Sequence, residues 1–65
     1  MKLNETIRIN YKNYRGELST RHIIPKALKF EKTEWHDEQW ILYAFDVEKD
    51  DYRGFALLDI EFLKD

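Results

Sequence analysis

Thr6-Ile7-Arg8-Ile9-Asn10-Tyr11 alternates polar and apolar residues. That is the period of a strand with one buried face, and Ile7, Ile9 and Tyr11 share it. Asn13-Tyr14-Arg15-Gly16 predicts a turn, with Gly16 able to take a positive φ. Leu18 to Ile24 reads as a second strand, with Ser19, Arg21 and Ile23 on one face and Thr20, His22 and Ile24 on the other. Pro25 cannot donate to a ladder, so it belongs at an edge, a bulge or a strand start. Lys26 to Phe30 has helix-favouring residues, but it is too short for an isolated helix. It reads as a short strand after a bend at Pro25.

Glu31 to Glu38 is a polar loop interrupted by Trp35. Gln39 to Val47 carries the strongest strand signal. Its apolar run Trp40-Ile41-Leu42-Tyr43-Ala44-Phe45 supplies both faces, as expected of a central strand. Its aromatics, with Phe55, read primarily as core, and apolar residues on both faces motivate a dimer. Glu48 to Asp51 is a charged turn, and Arg53 to Ile60 reads as the last strand, with Phe55 and Leu57 opposite Ala56, Leu58 and Ile60. Glu61 to Asp65 is a tail with room for one helical turn. Five short strands with turns every 8–12 residues or so predict one all-β domain over residues 1–65, a small barrel or sandwich.

Composition narrows the chemistry. The chain has 65 residues, and a domain of that size buries only about 60% of its unfolded surface. Cys is 0, which excludes disulfides, cysteine zinc sites, iron–sulfur clusters and a thiol nucleophile. Aromatic residues at 15% supply core material instead. The longest apolar run is six residues, far short of the ~20 a membrane helix needs. The N-terminus has no secretory pattern, so a cytoplasmic location is expected.

Charge is uneven. Residues 1–29 sum to +5 and residues 30–65 to −7, which returns the net −2. A basic face for an anionic partner is one reading. Strand folds interleave sequence halves, and mixing in space is the blander expectation.

Tyr11, then Arg21-His22-Ile23-Ile24-Pro25, then Trp40-Ile41-Leu42, then Arg53-Gly54-Phe55-Ala56-Leu57 and Ile60 follow one another in a spaced order. This order resembles the WYL domain, a bacterial module usually C-terminal to a helix-turn-helix in transcriptional regulators. Its pattern is Tyr, Arg-x-x-x-Pro, Trp-Tyr-Leu and Arg-x-Phe-Arg-Leu-x-x-Ile. The likeness spans about Ile7 to Ile60. It implies a five-stranded SH3-like, Sm-like barrel and a ligand-sensing role, with nucleic acid or an oligonucleotide as the ligand class. Ile41 stands where the pattern has Tyr, Ala56 where it has Arg, and Asp59 where a basic residue is common. No helix-turn-helix fits within these 65 residues, so a DNA reader in the same polypeptide is not expected.

Arg21 and Arg53 are the sharpest chemical candidates, since the planar guanidinium fork suits phosphate or carboxylate. A barrel could bring them beside Tyr11, whose ring could stack on a base. The competing expectation is that they pair with acids such as Asp46 or Asp59 on a solvated face, where such pairs contribute about 0–1 kcal/mol. His22 should face away from Arg21. Ser19 and His22, three apart on a strand, point to opposite faces. Trp35-His36-Asp37-Glu38 lacks the three or four convergent ligands a metal needs. Asp46 to Asp50 imitates a calcium loop but has Asp51 and Leu57 where that loop needs Gly and Glu. No cofactor, metal or catalytic site is expected, and the chain reads as a non-enzymatic binding or regulatory module. Its expected partners are nucleic acid or an anionic small ligand, and possible alternatives are a protein at a strand edge or a second copy.

Overall fold

The computed structural model describes every residue except Met1, Thr33, Trp35, His36 and Asp65. It is all-β: β1 (Ile7–Lys12), β2 (Leu18–Glu31), β3 (Gln39–Asp46), β4 (Asp51–Ala56) and β5 (Ile60–Phe62). A 3-10 turn, Leu57–Asp59, joins β4 to β5. The strands form one antiparallel sheet in the order β4-β3-β2-β1-β5.

Five strands are present, divided differently from the sequence expectation. Leu18–Ile24 and Lys26–Phe30 are one 14-residue strand, because Pro25 is absorbed by a β-bulge and does not end the ladder. A bulge places two residues opposite one, so a missing N–H is tolerated there. The bulge also reverses the side-chain alternation. Ile23 and Pro25 face the core before it; Leu28, paired with Leu42, does so after it. Arg53–Ile60 is not one strand. The ladder stops at Ala56, the 3-10 turn redirects the chain, and Ile60 pairs instead with Tyr11 of β1. The short helical turn expected in the tail thus lies earlier, at 57–59, and Glu61–Phe62 are strand.

Opposed residues in antiparallel strands share a face, so the register defines the core. Ile7 lies opposite Ile23, Ile9 opposite Arg21 and Tyr11 opposite Ser19; Ile23 lies opposite Asp46, Ala44 opposite Arg53 and Leu42 opposite Phe55. Ile9, Ile23, Leu42, Ala44 and Phe55 form the buried cluster, with Ile7, Tyr11 and Ile60 packed against it. Curvature closes the distance between β1 and β4. Tyr11 meets Phe55 edge-to-face with ring centroids 4.9 Å apart.

The aromatic core is smaller than expected. Of Trp40, Tyr43, Phe45 and Phe55, only Phe55 is fully buried, and Trp40 is 49% exposed. Tyr43 lies on the outer face and donates its hydroxyl to Glu31. Ile41, also on that face, is buried beside Ala56. Gly54 matters here: a Cβ would lie 3.1 Å from Ile41 Cγ2 and 3.2 Å from Tyr43 Cε1. The core face continues past the core into an exposed apolar surface of Leu28, Phe30 and Trp40, with the two rings 5.4 Å apart.

The two charge halves mix. Basic β1 and β2 lie inside the sheet, flanked by the acidic β3 and β5, and Arg21 of the first half pairs with Asp46 of the second. Among the described residues no helix is long and apolar enough to cross a membrane.

Candidate functional site

Register decides where the candidate side chains go. Arg21 opposes Ile9 and Arg53 opposes Ala44, so both guanidinium groups are sent to the core-facing side. There they converge on Asp46, which ends β3 and has no exposed side-chain surface. Asp46 Oδ2 lies 3.4 Å from an Arg53 terminal nitrogen and 3.8 Å from an Arg21 one. Oδ1 accepts the Lys49 backbone N–H at 3.2 Å, which caps the turn into β4. Asp50 takes a φ of 53° in that turn. The expectation that acids would neutralise the pair is met in identity, with Asp46 as the acid. Its location differs, because this carboxylate is buried and organises both arginines.

The pair is unequal. Arg53 also lies over the Phe55 ring, 5.5 Å from its centroid, and its side chain is 39% exposed. Arg21 is more enclosed, and its buried Nε has no hydrogen-bond partner. A buried donor without a partner is costly, so Arg21 is held in place by its Asp46 contact at some expense in free energy.

Beside Arg53 opens a cleft of about 520 Å³ lined by Tyr11, Lys12, Tyr14, Arg53 and Asp59, among others. That volume falls within the ~300–1,000 Å³ of small-molecule sites. Burial pushes the Tyr11 phenol above its ordinary value of 10, and Asp59 adds to the rise, while the Ala56 backbone and Arg53 oppose it. The hydroxyl is therefore a neutral donor at physiological pH. Tyr11 and Arg53 thus share the cleft, while Arg21 joins them only through Asp46. Tyr11 is half-buried with Phe55 against its ring, so it is less open to stacking than the sequence suggested.

Tyr14 and Lys12 were not singled out in sequence. The available signal was an aromatic placed inside a turn between Asn13 and Arg15. Asn13 Oδ1 accepts the Arg15 and Glu17 backbone N–H groups at 2.9 and 3.0 Å, and Gly16 takes φ 78°. This rigid turn holds Tyr14 90% exposed at the cleft, with the Arg15 guanidinium 5.4 Å from its ring centroid.

His22 opposes Arg8 and lies on the outer face, away from Arg21 and Ser19 as expected. It clips β2 to the β3–β4 turn. Its backbone N–H donates to Glu48 Oε1 at 2.7 Å, and its Nδ1 lies 3.3 Å from the same oxygen. The backbone hydrogen bond from His22 holds the Glu48 carboxyl below its ordinary 4.5. Trp35 and His36 of the considered metal motif lie outside the described residues. Among the described residues no three His, Asp or Glu side chains are grouped to hold a metal ion.

The sheet thus carries two arginines on one buried acid, beside a cleft that two tyrosines line. The WYL domain model matches residues 1–64, and the chain belongs to the WYL domain family. Members of this family are regulatory, ligand-binding-type domains. Comparison with curated proteins finds no significant match.

Proposed function

We propose that this chain is a non-enzymatic regulatory module that binds an oligonucleotide or a related anion through Arg53, Arg21 and Tyr11. The observation carrying this reading is the cleft beside Arg53, which a guanidinium lines together with two tyrosines, Tyr14 exposed and Tyr11 half-buried. Guanidinium groups and aromatic rings are the usual pair for single-stranded nucleic acid, one for phosphate and one for base. Asp46 cancels one of the two arginine charges, so electrostatic attraction is modest. With one or two phosphates neutralised, log K should fall against log salt with a slope of about −1. Fluorescence titration of a labelled single-stranded oligonucleotide at two salt concentrations tests this. Arg53→Ala and Arg21→Ala should each weaken binding; full affinity in both variants would sink the proposal.

A second reading draws on the exposed Leu28, Phe30 and Trp40 surface. It is a protein-interaction module, either self-associating or adding a partner's strand at a sheet edge. Sedimentation of wild type and Trp40→Ser separates the self-associating form. A concentration-independent monomer would remove a homodimer.

A further inference from the structure

The cleft does not carry one sign of charge. Lys12 and Arg53 line it, and so does Asp59. A site for a bare anion would be weakened by that carboxylate. Asp46, the other acid near Arg53, is occupied by two arginines and a backbone N–H. The Asp59 side chain makes no hydrogen bond or ion pair with a described residue, the arginine that shares its cleft included; its charge acts on Tyr11 only by raising that phenol. A carboxylate is acceptor-only, with about four lone-pair sites. With no hydrogen-bond donor for it among the described residues, this half-buried carboxylate presents its acceptor sites to the cleft.

Its position is held. Asp59 ends the 3-10 turn that the Ile60 N–H closes onto the Leu57 carbonyl. The next residue, Ile60, pairs with Tyr11. Across the cleft lining, Tyr14 offers an exposed ring on a turn braced by Asn13.

We infer that Asp59 reads the donor edge of a nucleobase in this cleft and selects guanine. The inference rests on the oligonucleotide reading above and names its base preference. Guanine presents a ring N–H and an amino group side by side, which a carboxylate accepts together. Adenine and cytosine each present one amino group. Thymine presents one N–H between two carbonyl oxygens, which the carboxylate repels. Base edges are read this way on unstacked single strands, with aromatic or guanidinium planes holding the ring. Phosphate then falls to Lys12 and Arg53.

The test compares labelled dT heptamers with heptamers carrying one central dG, by fluorescence anisotropy at low salt. Wild type should bind the dG heptamer about ten-fold more tightly, the lower end of discrimination by a two-bond pair. Replacing dG with deoxyinosine, which lacks the amino group, should remove part of the preference. Asp59→Ala should abolish it and raise dT heptamer affinity, because the carboxylate that repels thymine and phosphate is gone. Asp59→Asn, which keeps shape and one acceptor, guards against a folding defect and should retain only a small preference. Equal wild-type affinity for both heptamers would overturn the role of Asp59 and leave oligonucleotide binding standing. A preference that survives Asp59→Ala would overturn it too. Binding to neither heptamer would overturn both readings.

Discussion

Asp46→Asn separates the two things Asp46 does. The substitution preserves shape and an acceptor for the Lys49 N–H, but it removes the charge between two arginines. At an effective dielectric constant near 20, unit charges at 3.4 and 3.8 Å attract by about 4–5 kcal/mol each. Two terms oppose that figure. Both arginines are partly exposed and screened by water. Removing the buried carboxylate also removes its desolvation cost, several kcal/mol per ion. The net loss should be about 1–3 kcal/mol, against a total stability of roughly 3–10 kcal/mol for a chain this long. With a urea m-value near ~1 kcal/mol/M, the unfolding midpoint should fall by about 1–3 M. Ligand binding should move the other way. The uncancelled charge would attract a phosphate by about 1 kcal/mol in water-like surroundings, roughly five-fold at low salt. Urea melts by circular dichroism and oligonucleotide titration on the same sample measure both. An unchanged midpoint would refute the buried pairing, and weaker binding would refute Asp46 as a competitor for the arginines.

Three further outcomes are expected. Phe55→Ala empties the centre of a core with few fully buried apolar side chains; at about 3–5 kcal/mol it should leave little folded protein at 37 °C by circular dichroism. Glu48→Gln should flatten acid unfolding: a carboxyl held below its ordinary 4.5 favours the fold above that pH, and its contribution is lost as pH falls through the lower folded value. Thermal melts between pH 6 and 3 should therefore converge at the acid end, and parallel curves would contradict the His22 clip. Tyr11→Phe tests the alkaline side. A phenol raised by burial favours the fold below pH 10 and loses that contribution as pH rises through the folded value. The variant should lose less stability than wild type between pH 9 and 11.

Strand identity followed from local pattern. The alternation of Ile7, Ile9 and Tyr11, and the run through Leu42 and Ala44, needed no tertiary information, because a strand buries every second residue wherever it sits. The order of Tyr11, Arg21, Pro25, Trp40, Arg53 and Phe55 carried the family resemblance from about Ile7 to Ile60, and the family match takes in that stretch within residues 1–64. Boundaries at Pro25 and Ala56 were not legible. A proline permits a bulge or a stop, and only pairing with β3 selected the bulge. Likewise, only the presence of β1 beside Ile60 turned the end of the apparent last strand into a separate one.

The sequence by itself determined which residue types could serve a ligand: Tyr11, Arg21 and Arg53, with neither cysteine nor a metal-spaced motif beside them. Tertiary structure decided their relations. Register across three strand pairs put both arginines on one face and buried Asp46 between them. The 3-10 turn brought Asp59 to the cleft that Tyr14 lines from the opposite end of the chain. Pattern specifies a residue's face, but its neighbours from distant strands are set by register, and register is fixed only when the whole sheet packs its core.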